Sequence, residues 1–359
     1  MGKPKYSEVE NWIKNEIYCG NFVDGEKIPS ENTLMRKFGY SRQTIRLALR
    51  NLEESGILRS VRGSGTYVEA QRSKDNNEKK TIGVILNSLE SRESAMMLDG
   101  IESVLTKNNA AISLGVSHNR YDREYKVLQS MLETDVDGFI IEGAKNAIMN
   151  PNSELLLRIC KQRPCVFLNG VNSTLNDIPS VAGDDAYAGY IAAKYLMERG
   201  HRDIATISRM DSLASHKRYG GYIRALNEAG IPFDDSNMMW CLYENMGEIF
   251  DELIGNLFLK NLYKCTAVMC HNDTIARSLI GFLVKINLKP FDDVSIISFE
   301  NSAFAENNRI TSVGYDYKKI GEDAAKLCLD IFDKKEKRHE ILIPPVMMPR
   351  DSVRVLSRE

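Results

Sequence analysis

The sequence predicts a multidomain protein in which a small α+β domain precedes a larger α/β domain. Three observations carry this prediction. Residues 1–69 contain short amphipathic helix patterns and then two short strand patterns. Residues 70–80 are polar and charged and lack large apolar side chains, which is typical of a linker. From Thr81 onward, short apolar runs alternate with helix-like segments, and this pattern favours doubly wound architecture with mostly parallel sheets.

Composition narrows the functional classes. The chain of 359 residues is long enough for two or more folded units. No run is apolar enough to span a membrane, and no apolar signal sequence follows the N-terminus, so we expect a cytoplasmic protein without a membrane partner. The seven cysteines include no Cys-x-x-Cys pair, and we expect reduced core residues rather than a metal or redox site.

The charge is distributed unevenly along the chain. Residues 1–80 hold 15 basic and 11 acidic side chains, whereas the remainder holds 32 basic and 38 acidic ones. This asymmetry indicates an anionic partner for the N-terminal segment.

Two amphipathic helices are predicted before residue 40. The first covers residues 6–19, where apolar side chains recur at helical spacing. The second begins at Ser30 and Glu31 and ends at Gly39. Its short apolar face consists of Leu34, Met35 and Phe38.

A third helix begins after a tight turn at Gly39 and Tyr40. Ser41 is a good N-cap residue, because its hydroxyl can accept a hydrogen bond from an amide of the first turn. One face of the helix is apolar, with Ile45, Ala48, Leu49 and Leu52. The other face carries Arg42, Gln43, Arg46 and Arg50. That face could be a solvated surface, but two short helices joined by such a turn are typical of a helix-turn-helix.

Two short strands complete the first domain. Residues 57–61 and 66–68 are strand patterns, and the glycine-bearing turn Arg62–Gly65 joins them into a small β-ribbon. The Gly63-Ser64-Gly65 sequence lacks the following helix that a phosphate-binding loop requires.

Residues 25–68 resemble the winged-helix DNA-binding domain of GntR-family bacterial regulators. The resemblance rests on Ile28-Pro29-Ser30-Glu31, Ser41-Arg42, Thr44-Ile45-Arg46, Gly56-Ile57-Leu58 and Gly63–Val68. It implies contacts from the third helix to the major groove, and from Arg62 and Gly63 to the minor-groove side. Lys5 suits a phosphate, whereas Glu31 could contact a base or cap its helix. The predicted DNA contacts are Lys5, Glu31, Ser41, Arg42, Gln43, Thr44, Arg46, Arg62 and Gly63.

The larger region alternates seven candidate strands with helices. The strands are residues 81–86, 111–116, 138–141, 165–168, 204–207, 267–270 and 294–299. The helices are residues 95–107, 122–134, 186–199, 216–229, 247–259 and 272–286.

Polar residues follow several of these strands. They are Asn87-Ser88, Glu142, Asn169, His271-Asn272-Asp273 and Glu300-Asn301. Ligands of doubly wound sheets bind at the carboxyl ends of the strands. Several carboxylate and amide groups together suit a sugar, because each hydroxyl both donates and accepts. Any one of these residues could instead cap the helix that follows it.

Residues 81–355 resemble the ligand-binding core of LacI/GalR-family regulators, which is similar to periplasmic sugar-binding proteins. The carrying segments are Thr81–Ile85, Asp137–Ile141, Val181–Gly189, Gly200–Ala205, Arg218–Tyr222, His271–Ala276 and Asp293–Glu300. The resemblance implies a periplasmic-binding-protein-like domain of two doubly wound subdomains. Their expected extents are residues 81–182 plus 306–335 and residues 183–305 plus 336–355, with hinge crossings near 183 and 305.

The same resemblance implies an effector cleft between the two subdomains. Its expected residues are Glu142, Asn169, Arg218, His271, Asn272, Asp273 and Glu300. Two departures from the family's pattern concern the choice of sugar. His271 and Glu300 stand where the family often has an aromatic residue and an aspartate, and residues 87–94 lack the aromatic that commonly stacks on a sugar.

The combination of these two domains resembles the arabinose-responsive repressors of Gram-positive bacteria. Lys5-Tyr6, Ile28-Pro29, Lys217-Arg218 and a pairing of Glu142 with Lys145 carry this likeness. It implies a homodimeric repressor of sugar-utilisation genes that binds double-stranded operator DNA and is released by a small sugar such as L-arabinose. The reverse sign, with the sugar as corepressor, stays open, and no cofactor is expected.

The sequence argues against two other functions. An enzyme acting on a sugar or sugar phosphate would need a catalytic motif, and neither a His-Glu-x-x-His nor a Gly-x-Ser-x-Gly sequence is present. We therefore predict no catalytic and no metal-binding residues. A transport binding protein would carry a signal peptide in place of the N-terminal domain.

Overall fold

The computed structural model describes residues 4–18, 21–61, 63–69, 79–171, 173–175, 177–246, 249–250, 262–333 and 340–356. The chain divides into two compact units, Met1–Lys79 and Lys80–Glu359. The division falls inside the predicted linker, most of which lies outside the described residues.

The described part of the first unit consists of three helices and a two-stranded ribbon. Its elements are α1 (Lys5–Tyr18), α2 (Glu31–Phe38), α3 (Arg42–Glu54), β1 (Leu58–Val61) and β2 (Gly65–Val68). The strands pair antiparallel, with Leu58 opposite Val68. Gly39 ends α2 in the left-handed conformation at φ +68°, which permits the tight turn into α3. Apolar side chains from all three helices and both strands form one core that includes Val9, Ile13, Leu34, Ile45, Leu49, Leu52, Leu58 and Val68.

The second unit contains two mostly parallel sheets, each covered by helices. The first lobe has the strand order β13-β7-β6-β5-β3-β4, and the second has the order β14-β12-β11-β10-β8-β9. The first-lobe strands are β3 (Thr81–Leu86), β4 (Ala111–Val116), β5 (Gly138–Glu142), β6 (Cys165–Leu168), β7 (Ser180–Gly183) and β13 (Glu340–Ile343). The second-lobe strands are β8 (Ile204–Arg209), β9 (Met238–Cys241), β10 (Ala267–Cys270), β11 (Ser295–Phe299), β12 (Thr311–Gly314) and β14 (Val346–Met348).

Helices cover both faces of each sheet. They are α4 (Arg92–Lys107), α5 (Tyr121–Glu133), α6 (Ser153–Gln162), α7 (Asp185–Glu198), α8 (Leu213–Glu228), α9 (Asp273–Lys285), α10 (Ala303–Asn307) and α11 (Tyr317–Phe332). Among the described helices, one pair in each lobe is in close contact through glycine. A Cβ on Gly221 of α8 would overlap the Ala186 carbonyl of α7, and a Cβ on Gly321 of α11 would overlap the Met97 carbonyl of α4. The predicted helix at 247–259 lies largely outside the described residues.

The described chain passes between the lobes three times. The connections join β7 to α7, β12 to α11, and β13 to β14. The predicted subdomain boundaries near 306 and 336, and the predicted second hinge near 305, are therefore wrong. Thr311–Gly314 pairs with β11 in the second lobe, and Glu340–Ile343 pairs with β7 in the first. Strand partners define a lobe, and a short apolar run does not indicate which sheet it will join.

Candidate DNA-binding surface and effector cleft

The start of α3 presents polar side chains to solvent. Ser41 caps the helix as predicted, because its Oγ accepts a hydrogen bond from the Thr44 amide at 3.3 Å. Arg42, Gln43 and Arg46 are exposed, whereas Ile45 and Ala48 are buried in the core. The exposed donors therefore lie beside the positively polarised end of a helix that the core holds in place.

Glu31 organises two of these arginines. Its Oε1 accepts from Arg46 Nε at 2.9 Å, and its Oε2 lies 3.8 Å from Arg42 Nε. Arg42 also donates to Asn32 Oδ1 at 2.9 Å. The suggestion that Glu31 caps α2 is wrong, because Ser30 occupies that position and accepts from the Thr33 amide.

The remaining predicted DNA contacts lie at the edges of the first unit. Lys5 is exposed at the start of α1, and its ammonium lies 5.6 Å from the centre of the Tyr40 ring. Gly63 is exposed in the turn between the ribbon strands at φ +80°, in the left-handed region. Arg62 lies outside the described residues.

A cavity of about 240 Å³ lies between the two lobes. Residues of the first lobe and of the second lobe both line it. They are Arg92, Glu93, Met96, Glu300, Asn301, Gly314, Tyr315, Asp316, Tyr317, Val346 and Met348. Glu300 is the member of the predicted effector set that forms part of this wall.

Acidic and phenolic groups face one another in this cavity. Glu300 has a backbone φ of +92°, which is an unusual conformation for a residue other than glycine. Burial raises the pKa of Glu300 well above its usual range, and the Glu93 and Asp273 carboxyl groups raise it further. Burial also raises the pKa of Glu93. The Tyr317 hydroxyl is buried and has no hydrogen-bond partner among the described residues. Such unsatisfied groups suit a ligand with hydroxyls.

Two of the predicted residues support the site rather than line the cavity. Asp273 accepts from the Ser302 amide at 2.6 Å and from the Ser298 hydroxyl, so it holds the segment that carries Glu300. Asn272 caps α9, because its Oδ1 accepts from the Ile275 amide at 3.0 Å. For Asn272 the helix-capping interpretation is therefore confirmed.

Arg218 and His271 lie side by side in the second lobe. Arg218 donates through Nε to Asp185 Oδ1 at 2.8 Å and through Nη1 to the His271 carbonyl at 2.8 Å. Its guanidinium lies 4.5 Å from the centre of the Phe299 ring. Burial lowers the pKa of His271 well below its usual range, and the Arg218 and Arg209 cations lower it further. His271 Nδ1 has no hydrogen-bond partner among the described residues, and His271 is one of the residues that line a cavity of about 10 Å³, the size of one water molecule.

Glu142 and Asn169 lie in the first lobe, at the ends of β5 and β6, and neither lines the cavity of about 240 Å³. Asn169 Nδ2 donates to Glu142 Oε1 at 2.8 Å, and the Asn87 amide donates to Glu142 Oε2 at 2.8 Å. The expected pairing of Glu142 with Lys145 is wrong, because Lys145 forms an ion pair with Glu244 of the second lobe. Lys145 has φ +43°, and this turn directs its side chain across the cleft.

Direct contacts join the lips of the cleft. Asn119 Nδ2 of the first lobe donates to Asp211 Oδ2 of the second at 3.2 Å, and the Leu213 amide donates to Asn146 Oδ1 at 2.9 Å. Asp211 is fully buried and also accepts from Arg209 Nε at 3.0 Å. The sequence prediction missed Asp211 because it ended the strand at 207. The strand extends to Arg209, and the rule of examining strand ends would then have found Asp211.

Neither metal ligation nor membrane insertion has support within the described ranges. No group of three His, Cys, Asp or Glu side chains in those ranges could hold a metal ion. No helix there is both long and apolar enough to cross a bilayer. Cys160, Cys165, Cys241, Cys265, Cys270 and Cys328 are free thiols.

Two family models match the chain. Residues 5–68 match the model described as bacterial regulatory proteins, gntR family. Residues 193–353 match the model described as a periplasmic binding protein-like domain.

Curated relatives cover nearly the whole chain. An arabinose metabolism transcriptional repressor of Geobacillus stearothermophilus is 28% identical and aligns over 98% of both chains. A repressor of the same name from Halalkalibacterium halodurans is 27% identical and aligns over 97% of this chain and 96% of that protein.

Solved structures resemble the second unit. The transcription regulator CcpA of Lactococcus lactis has a TM-score of 0.68 at 25% identity and covers 77% of this chain and 100% of its own. A LacI family regulator from Enterococcus faecium with bound ribose has a TM-score of 0.61 at 25% identity over the same shares. The chain is therefore a transcription regulator and not an enzyme, and it joins a gntR-family DNA-binding domain to a periplasmic-binding-protein-like, LacI-type domain.

Proposed function

We propose that this regulator is a repressor of sugar-utilisation genes and that a small sugar releases it from its operator. L-arabinose is the first candidate effector, because two relatives that align over nearly the whole chain are arabinose metabolism repressors. The observation that carries the proposal is the cavity of about 240 Å³ between the lobes of the second unit, whose lining includes Glu93 and Glu300.

The composition of the cavity wall supports a polyol ligand. Glu93, Glu300 and the Tyr317 hydroxyl supply hydrogen-bonding groups, whereas Met96 and Val346 supply apolar surface for the C–H groups of a sugar. A protonated carboxyl group both donates and accepts, as a sugar hydroxyl does. The raised pKa values of Glu93 and Glu300 favour that protonated form.

The proposal takes the protein as a homodimer in the cytoplasm. Two copies of α3 would occupy successive major grooves of a near-palindromic operator, because a twofold protein matches twofold DNA. Arg42, Gln43, Thr44 and Arg46 would contact bases or phosphates there. The lobes of the second unit would then set the spacing between the two copies.

Effector binding would act by shifting the population between two lobe arrangements. Coupling between two sites on one protein is typically about 1–3 kcal/mol, so a saturating sugar would change the operator Kd by roughly 5- to 150-fold. An inducer raises this Kd and a corepressor lowers it. The proposal specifies an inducer.

A thermal-shift screen tests the proposal directly. The purified protein is heated with L-arabinose, other pentoses, hexoses and their phosphates, and the expected result is a higher Tm with L-arabinose. Operator binding is then measured with and without the stabilising sugar. A lower operator Kd with sugar would make the ligand a corepressor, and a screen without any stabilising compound would remove the sugar effector altogether.

A further inference from the structure

Tyr315 joins the cavity to two of the connections between the lobes. It lies in the connection from β12 to α11, and its side chain lines the cavity. Its hydroxyl donates to Asp185 Oδ1 at 2.7 Å. Asp185 begins α7, directly after the connection from β7. One hydrogen bond therefore links two chain segments that pass between the lobes.

Asp185 is also the partner of Arg218. The same Oδ1 atom accepts from Arg218 Nε at 2.8 Å, and Arg218 Nη1 donates to the His271 carbonyl. Asp185 is 4% exposed and Arg218 is 8% exposed, so water does not replace these bonds. Burial raises the pKa of Tyr315 well above its usual range, and the Asp185 carboxylate raises it further. The phenol therefore stays protonated and remains a donor.

The ring of Tyr315 is fixed by the backbone of the first lobe. A Cβ on Gly183, the last residue of β7, would overlap the Tyr315 ring, so the ring lies directly on that backbone. Gly183 precedes the connection to α7. A displacement of the Tyr315 ring must consequently act on the connection as well as on the hydrogen bond to Asp185.

Tyr317 provides an internal comparison. It lines the same cavity, and its ring centre lies 5.8 Å from that of Tyr315. Its hydroxyl is buried without a hydrogen-bond partner among the described residues. The two phenols thus share one ligand environment and differ in whether they bond to the connections between the lobes.

We infer that Tyr315 and Asp185 are positioning residues that transmit occupancy of the cavity to the connections between the lobes. A sugar that packs against the Tyr315 ring shifts the ring on Gly183 and changes the bond to Asp185. Arg218 carries the change into the second lobe. This inference rests on the proposed function, because it requires a sugar in the cavity.

The test compares Tyr315→Phe with Tyr317→Phe in the full chain. Sugar affinity is measured by calorimetry with L-arabinose, and operator Kd is measured with and without saturating sugar. We expect the sugar Kd of Tyr315→Phe to stay within about threefold of the wild-type value, because the ring remains. The ratio of operator Kd with and without sugar should be at least about fivefold smaller than in wild type. Tyr317→Phe should keep the wild-type change at saturating sugar, even where its sugar Kd is weaker.

Asp185→Asn is the second variant, because it retains an acceptor for Tyr315 and loses the carboxylate charge. It should lower the sugar-dependent change in the same direction as Tyr315→Phe. A full wild-type change in Tyr315→Phe would overturn the inference, and so would an equal loss in Tyr317→Phe. If wild type itself shows no change with any sugar, the proposed function fails and the inference fails with it. Melting temperatures of all variants identify any loss of folding.

Discussion

Glu31 holds Arg42 and Arg46 in place at the start of α3 while all three side chains remain accessible to solvent. Exposed ion pairs of this kind contribute about 0–1 kcal/mol, so DNA can displace the carboxylate at little cost. The pairing therefore limits the conformations of the guanidinium groups before binding without blocking them. Bidentate arginine contacts to guanine gain from such pre-ordering.

Replacing Arg42 or Arg46 with alanine should weaken specific operator binding. Each lost base contact is expected to cost about 1–3 kcal/mol, while sugar-induced thermal stabilisation stays at its wild-type value. Fluorescence anisotropy with a labelled operator measures the Kd. Arg224→Ala is the matched control, because Arg224 is an exposed arginine of the second unit paired with Glu228. Unchanged operator affinity in both α3 variants would refute the assignment of the recognition helix.

Glu300 should make folding stability depend on pH. Its folded-state pKa is raised by burial and by the Glu93 and Asp273 carboxyl groups, and the Arg218 and Arg209 cations only partly oppose this. The neutral form is thus favoured on folding. Its stabilising contribution is present below the unfolded pKa, about 4.3, and is lost as pH rises through the higher folded pKa.

Glu300→Gln should therefore flatten the fall of Tm as pH rises above about 4.3. The glutamine keeps the size of the side chain and removes the ionisation. Calorimetric scans at several pH values check this, with Glu90→Gln at an exposed position as the control. Parallel curves of Tm against pH for wild type and Glu300→Gln would contradict a raised folded-state pKa of Glu300.

At the scale of elements, the segment 143–152 between β5 and α6 brings the first lobe to the second. Glu124 of α5 is fully buried and holds this segment through three hydrogen bonds. It accepts from the Ala144 amide at 2.8 Å, from Asn150 Nδ2 at 2.8 Å and from Asn152 Nδ2 at 2.9 Å. The segment in turn presents Asn146 to the Leu213 amide of the second lobe. The buried Glu124 side chain thus orders the segment through which the first lobe contacts the second.

Glu124→Gln should lower both stability and the sugar response. The NH₂ group of a glutamine cannot accept a hydrogen bond. At least one of the three N–H groups that now donate to Glu124 would therefore lose its acceptor. An unsatisfied buried group costs about 1–3 kcal/mol, which urea unfolding measures. The sugar Kd should rise because the segment is less ordered. Glu133→Gln near the end of the same helix is exposed and should leave both measurements unchanged. Wild-type sugar affinity in Glu124→Gln would separate this segment from the effector site.

At the scale of the whole molecule, the DNA-binding helix and the effector cavity belong to two different compact units. The first unit has its own core with Leu34, Ile45 and Leu52 almost completely buried. The second unit has an apolar core in each lobe. Each of the two functions therefore rests on its own hydrophobic core.

A fragment of residues 1–79 should bind operator DNA without any response to sugar. The binding should weaken steeply with salt, because contacts to phosphates release counterions. Titrations of labelled operator at several salt concentrations, with and without L-arabinose, measure this. Affinity below that of the full chain is expected, since the fragment lacks the second unit. Salt-independent binding, or a fragment without any DNA affinity, would contradict this division of labour.

The elements with strong local patterns were predicted well. The strands at 81–86, 111–116 and 165–168 were predicted at their observed bounds, and the Ser41 cap of α3 is confirmed. Five of the strands that the structure describes were not among those predicted, namely β7, β9, β12, β13 and β14. All are three or four residues long, and β9, β13 and β14 are edge strands of their sheets. A short edge strand has few buried positions, so its apolar pattern is too brief to identify it.

The sequence by itself determined the two fold types, the order of the domains and the polar face of α3, because helix and strand periodicity is a local property of the chain. Only the tertiary structure decided which polar groups meet. Glu93, Glu300 and Tyr317 converge on one cavity, and Asp185 meets Tyr315, although these residues are far apart in the sequence. The order of strands and the three connections between the lobes bring them together, and hydrogen bonding between distant segments leaves no periodic signal in the sequence.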